Sequence, residues 1–275
     1  MQFGQNHLDC SQPQIMAVLN VTPDSFFDGG TCYRNGNLSL DLVLRRAEQL
    51  IDEGADLLDV GGESTRPGAS SVSLDEEMDR VLPVVEALAS RFSTVISLDT
   101  SSAQVMREGV KLGAGLINDV RALQKEGALQ AAVECGVPVC LMHMQGAPAT
   151  MQHNPQYSNA VEDVYQFLAM RKQLCLDAGI AAGSILVDPG VGFGKADEHN
   201  LELIKNLNRF THLGPVLLGV SRKSMFGRLL QRELPDRLAG SLAVALIGCQ
   251  NGASILRVHD VAATKDVITM LRLMS

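Results

Sequence analysis

The sequence predicts an α/β fold, a single (β/α)8 barrel spanning residues 1–275, with long, mobile loops after strands 1 and 2. Three observations carry this. Short apolar runs alternate with longer segments of helical period, eight times over. Glycine recurs just after the helical segments, at Gly54, Gly113, Gly136, Gly179 and Gly252, where a left-handed residue stops a helix. Almost every apolar run also ends in a polar side chain, as strands do at the mouth of a barrel enzyme.

The elements follow in order. The run 15–21 is aliphatic and uncharged, as a strand covered on both faces should be. A helix is expected over 38–53, where Leu40, Val43, Leu44, Ala47, Leu50 and Ile51 recur with period 3.6. Strand 57–60 precedes helix 74–91, which Ser73 and Glu76 would open as a capping box. Strands at 94–98, 116–120, 137–142, 185–187, 216–220 and 255–258 alternate with helices at 103–112, 124–135, 160–178, 198–209, 235–250 and 260–274. An open doubly wound sheet uses the same units. Eight of them, with no linker and no second domain, favour closure into a TIM barrel.

Composition narrows the function. Of the 275 residues 46% are hydrophobic, enough for a sizeable core, but with no Trp and 4% aromatic residues that core must rest on aliphatic side chains and Met. A net charge of -8 argues against a nucleic-acid or membrane-surface partner, which would select a basic face. No apolar run approaches the roughly eighteen residues of a membrane span. Residues 1–14 are polar, without the basic start and apolar run of a signal peptide. None of the six Cys stands in a C-x-x-C pair or at zinc spacing, and Cys135, Cys140 and Cys249 read as small core residues. Reduced thiols imply a cytoplasmic protein.

The strand ends carry the chemistry. They bring Asn20, Asp59, Asp99, Asn118, His143, Asp188, Lys223, Arg257 and His259 to one mouth. After strand 1 comes Asn20-Val21-Thr22-Pro23-Asp24-Ser25-Phe26-Phe27-Asp28-Gly29-Gly30. Two exposed Phe in a loop this long suggest a lid that covers something. After strand 2, Gly61-Gly62-Glu63-Ser64-Thr65-Arg66-Pro67-Gly68 pairs close backbone approach with a guanidinium suited to an oxyanion. After strand 6, Asp188-Pro189-Gly190-Val191-Gly192-Phe193-Gly194-Lys195 lacks the spacing of a P-loop and instead offers a flat edge to a ligand. Ser221-Arg222-Lys223-Ser224 places two cations before a helix start, an expected anion site. Arg257 and His259 alternate onto one side of strand 8, and the loops after strands 7 and 8 are the customary phosphate site of barrels. His143 is placed to hydrogen-bond neighbouring strand ends; His7, His153, His199 and His212 read as surface residues.

Together, in this order and over nearly the whole chain, these motifs resemble the dihydropteroate synthases. That family condenses 6-hydroxymethyl-7,8-dihydropterin diphosphate with 4-aminobenzoate, releases diphosphate, and is the sulfonamide target. The resemblance implies roles at matching positions. Asp99, Asn118, Asp188 and Lys223 would hold the pterin, with Asp59 in support. Asn20 would hold Mg²⁺ against the diphosphate, and Arg66, Arg257 and His259 would bind that leaving group. Thr65, Pro67, Phe193, Lys223 and Ser224 would shape the 4-aminobenzoate pocket, with Phe26 and Asp28 arriving from the lid. The expected catalytic set is therefore Arg66, Lys223, Arg257, His259 and Asp28. One departure stands out: the family's Phe-Ser-Asp-Gly-Gly reads Phe26-Phe27-Asp28-Gly29-Gly30 here, which enlarges an apolar patch and removes no charge.

The resemblance further implies an S_N1-like displacement and a homodimer, for which the seventh and eighth helical segments and the small-residue run 239–245 are candidate surfaces. Three rivals share features with this reading. A pterin-binding methyltransferase would need a corrinoid partner and no diphosphate cluster. A Schiff-base aldolase would use Lys223. A silent paralogue would bind pterin without turnover.

Overall fold

The computed structural model describes residues 1–22, 32–34, 37–64, 72–146, 151 and 155–274. Eight parallel strands pair in chain order and close into a barrel. They are β1 (Gln14–Asn20), β2 (Leu57–Gly61), β3 (Val95–Asp99), β4 (Leu116–Asp119), β5 (Val139–Met142), β6 (Ile185–Asp188), β7 (Val216–Gly219) and β8 (Ala253–Val258). The helices are α1 (Leu40–Asp52), α2 (Leu74–Arg91), α3 (Ala103–Lys111), α4 (Ala128–Cys135), α5 (Ala160–Asp177), α6 (Asp197–Lys205), α7 (Ser224–Leu230), α8 (Leu238–Gln250) and α9 (Val261–Met274). The expected barrel is thus present.

Two apolar cores divide the work. The larger lies between the strands and the helices that wrap them; α1, for example, buries Val43, Ala47 and Leu50 on one stripe. The smaller fills the barrel itself and takes one residue from every strand: Met16, Leu57, Val95, Leu116, Cys140, Leu186, Leu217 and Ile255. Phe3 completes it from below. It stands on a short hairpin, Gln2–Phe3 against Asn6–His7, which composition alone leaves looking like a polar tail.

This inner layer fixes the site. Side chains alternate across a strand, so residues two steps further on face the same interior. They are Val18, Asp59, Ser97, Asn118, Met142, Asp188, Gly219 and Arg257. Two steps more brings Asn20, Gly61 and Asp99 to the mouth. Five of the eight in the first of these layers are polar, so the barrel interior turns from hydrocarbon to mostly polar within one layer.

Boundaries differ from the sequence reading in informative places. Gly54, Gly113, Gly136, Gly179 and Gly252 take positive φ as expected. Helix α4 begins at Ala128 rather than 124. Ala122 and Leu123 sit at φ 50° and 57°, which breaks the helical path. The buried Asp119 carboxylate holds that turn by accepting the N–H groups of Arg121 and Leu123, each at 2.8 Å. Arg171 of α5 secures it from the other side through the carbonyls of Ala122 (2.8 Å) and Leu123 (3.0 Å). The capping box at α2 is half formed: Ser73 Oγ accepts the N–H of Glu76 at 3.2 Å, while the Glu76 carboxylate pairs with Arg80.

Candidate active site

Arg257 is the centre of the mouth. Its Nε donates to Asp59 Oδ2 at 2.6 Å and its Nη2 to Asp99 Oδ2 at 2.8 Å. Asn118 Nδ2 reaches both oxygens of Asp59, at 3.2 and 3.4 Å. Asp59 has 0% exposure, so its charge is compensated only by neighbours. Strands β2, β3, β4 and β8 meet in this one cluster, although Asp59 and Arg257 are separated by most of the chain.

The electrostatics follow from crowding two carboxylates around one guanidinium. Burial raises the Asp99 pKa to about 7, with the Asp59 charge acting the same way and Arg257 opposing. Burial pulls Arg257 down, but Asp59 and Asp99 outweigh it and hold the guanidinium firmly charged. Asp188, across the interior, is pushed up by burial and drawn back by the Gly190 N–H, which donates to its Oδ1 at 2.7 Å. Lys223 is lowered to about 8 by burial, against the pull of Asp188.

The loop after β6 and the turn after β7 meet at Lys223. Its Nζ donates to the carbonyl of Val191 and lies 4.3 Å from the centre of the Phe193 ring, a cation–π contact. Ser224 opens α7 and is exposed. Ser221 serves His259: its hydroxyl accepts the His259 N–H at 3.2 Å and lies 3.1 Å from Nδ1. Asn20 ends β1, half-buried beside Gly61.

Asp59, Asp99, Asn118, Asp188 and Arg257 thus lie on the interior side that alternation predicts, while Phe193, Lys223 and His259 stand on the segments that leave β6, β7 and β8. Thr65, Arg66, Pro67, Phe26, Phe27 and Asp28 lie outside the described residues, as does most of the two loops expected to be mobile.

Three expectations need correction. Arg222 is no partner for Lys223 at an anion site. It takes a left-handed φ of 53° and turns onto Asp260 as a bidentate pair at 2.7 and 2.8 Å. It also donates to the carbonyls of Leu234 (3.0 Å) and Pro235 (2.9 Å). A planar fork finds better-matched acceptors there than at the rim. His199 is half-buried rather than on the surface: its Nδ1 accepts the Ala196 N–H at 3.2 Å and its ring stands edge-on to Tyr157 at 4.9 Å. Cys140 and Cys175 are fully buried and Cys32 nearly so, whereas Cys135 and Cys249 are half-buried and pack against the core rather than within it.

Sequence reasoning also misses the supports. Ser221 was visible only as part of a basic motif. Arg121 pairs with Glu63 at 3.1 Å and donates to Ser101 at 2.9 Å, joining the loops after β2, β3 and β4. Lys195 is buried against His143. No spacing signals these pairs, because their partners come from different βα units.

A parallel barrel with carboxylates, an amide and cations converging on its mouth defines a class: enzymes that bind a polar heterocycle and an anionic group together. The chain matches the model of the pterin-binding enzyme family over residues 16–259. It is 54% identical to the dihydropteroate synthase of Haemophilus influenzae over 262 residues, 95% of this chain and 94% of that protein. The Yersinia pestis dihydropteroate synthase in a sulfonamide complex superposes with a TM-score of 0.95 at 48% identity, covering 100% of this chain and 99% of that one. The Xanthomonas albilineans dihydropteroate synthase in complex with 7,8-dihydropteroate does so with a TM-score of 0.88 at 41% identity, covering 100% and 98%. The chain belongs to the dihydropteroate synthase family.

Proposed function

We propose that the chain transfers a pterin-methyl group: it condenses 6-hydroxymethyl-7,8-dihydropterin diphosphate with 4-aminobenzoate to give 7,8-dihydropteroate and diphosphate, a step of folate biosynthesis. The observation that carries this reading is the interior cluster of Asp59, Asp99, Asn118 and Arg257, with Asp188 facing it. Carboxylate and amide oxygens suit the donor-rich edge of a pterin, and the guanidinium suits a diphosphate.

In this reading Asp99, Asn118 and Asp188 hold the ring and Lys223 lies over the junction of the two substrates. The C–O bond breaks and its electron pair leaves with diphosphate. Arg257 and His259 stabilise that growing charge; preorganised donors of this kind are worth roughly 3–4 kcal/mol each. The amine nitrogen of 4-aminobenzoate then forms the C–N bond and releases a proton. An aromatic amine is already nucleophilic, so no strong base is assigned. Phe193 and Ser224 border the acceptor, where sulfonamides would compete.

Mg²⁺ belongs to the proposal as an ion carried on the diphosphate. Among the described residues no group of three or more His, Cys, Asp or Glu could hold a metal. The Asn20 amide offers one hard oxygen, which suits an ion that keeps waters and phosphate oxygens as its other ligands. When bound, it would neutralise charge on the leaving group.

The acting form is proposed to be a homodimer. Ala239, Ala243 and Ile247 are exposed on α8, and Met270, Leu273 and Met274 on α9 at 54%, 75% and 81%. Such a neighbouring apolar surface suits a second copy of the chain. Among the described residues no helix is long and apolar enough to cross a membrane, and no disulfide joins the cysteines, which suits the cytoplasmic site proposed.

The test is diphosphate release from the purified protein with dihydropterin diphosphate and Mg²⁺, with and without 4-aminobenzoate. Release that depends on 4-aminobenzoate, with dihydropteroate formed in step, supports the synthase. Tight pterin binding without release overturns it in favour of a silent paralogue or a corrinoid-dependent methyltransferase.

A further inference from the structure

Lys195 is one of the largest fully buried side chains in the protein, with 1% exposure. Nothing in the reaction calls for it. Burial draws its pKa well below the usual lysine value, and its Nζ has three partners within hydrogen-bond reach: His143 Nδ1 at 2.9 Å, the His143 carbonyl at 3.3 Å and the Phe193 carbonyl at 2.9 Å. Two of these stand on the end of β5 and one on the loop after β6. Lys195 is therefore a tie between two strand-end segments.

The fit between those segments is close throughout. At Gly190, φ 68°, a Cβ would fall 1.9 Å from the His143 carbonyl oxygen. At Gly194, φ 63°, it would fall 2.4 Å from that of Gln145. Only glycine lets this loop lie on β5's exit. Tyr157 adds a hydrogen bond to the Gly194 carbonyl at 2.7 Å, and the His143 ring is braced edge-on by Phe167 at 4.9 Å. Burial, with the Lys195 charge acting the same way, lowers His143 to about 3, so its ring stays neutral.

The other side of the same loop faces Lys223. Val191 offers it a carbonyl, Phe193 its ring, and a Cβ on Gly192 would come within 3.0 Å of its side chain. Phe193 is thus held by its carbonyl from beneath and meets Lys223 above.

We propose that Lys195 is a positioning residue for the amine acceptor: by tying the Phe193 carbonyl to His143 it sets the Phe193 ring against Lys223 and so shapes the 4-aminobenzoate pocket. This rests on the synthase reading above. Two pterin contacts, Asp99 and Asn118, stand on β3 and β4 away from the tie. Asp188 meets it through its backbone, whose carbonyl accepts the His143 N–H at 3.0 Å, while Phe193 is held by the tie directly, so the acceptor site should respond more strongly than the pterin site.

The experiment compares Lys195→Met, Lys195→Arg and His143→Gln with the parent chain, measuring KM for each substrate separately and checking fold by circular dichroism. Lys195→Met should raise KM for 4-aminobenzoate at least tenfold and that for dihydropterin diphosphate less than threefold. Lys195→Arg, which keeps donors, should recover part of the loss. His143→Gln removes one acceptor and should give a smaller rise of the same kind; it decides the matter if Lys195→Met does not fold. Equal rises in both KM values, or no rise, would overturn the proposal. A parent chain without 4-aminobenzoate-dependent release would instead overturn the synthase reading, and this inference with it.

Discussion

Replacing Asp59 by Asn tests whether the buried cluster positions Arg257 or merely fills space. Asp59 has 0% exposure and touches Arg257 and Asn118, so its effect must pass through them. The substitution keeps the shape and removes the charge. The 2.6 Å bond from Arg257 Nε changes from an ion pair to a bond charged on the donor side alone, a weakening of about 1–2 kcal/mol. The difference of about 1–2 kcal/mol, if lost from the transition state, lowers kcat/KM roughly 5- to 30-fold. Stability should move far less. The Asp59 carboxylate helps raise Asp99, so neutralising it relieves a repulsion while Arg257 keeps Asp99 as partner at 2.8 Å. The assay is steady-state diphosphate release, paired with urea denaturation. A kcat/KM within twofold of the parent would refute the reasoning. A loss of activity that merely tracks loss of fold would make Asp59 structural.

Three further outcomes follow from the same geometry. Asp119→Ala strips acceptors from Ser101 Oγ and the N–H groups of Arg121 and Leu123, and should cost about 2–4 kcal/mol in chemical denaturation; a loss under about 0.5 kcal/mol would mean the left-handed turn holds itself. Asp188→Ala should abolish binding of a pterin analogue in calorimetry, and unchanged affinity would place the ring elsewhere. With Lys223 lowered to about 8 by burial, kcat/KM should fall as pH rises through that value and the ammonium is lost, and Lys223→Arg should shift this limb upward. The unfolded chain binds the same proton more tightly, up to an ordinary lysine pKa of about 10.4, so between these values this group favours folding as pH rises. An alkaline activity loss with intact fold therefore fits Lys223, and a flat profile would remove its charge from the reaction.

Much of the fold is legible in the sequence because it depends on local physics. Period-3.6 stripes, aliphatic runs and terminal glycines each report the neighbourhood of a few residues, and eight repeats of one unit leave few ways to close. Alternation alone also places Asp59, Asn118, Asp188 and Arg257 on one side of their strands, so their convergence inside the barrel is legible in the sequence. What the chain by itself does not determine is which polar groups face each other across the barrel. Arg257 with Asp59, Lys195 with His143, Arg222 with Asp260 and Arg121 with Glu63 join residues from separate βα units. Each pair depends on strand register and on where a long side chain finds unsatisfied acceptors in a closed space. The Ser221-Arg222-Lys223 run shows the difference plainly. Its sequence offers two adjacent cations, and a left-handed backbone at Arg222 turns one onto Asp260 and leaves the other against Val191 and Phe193.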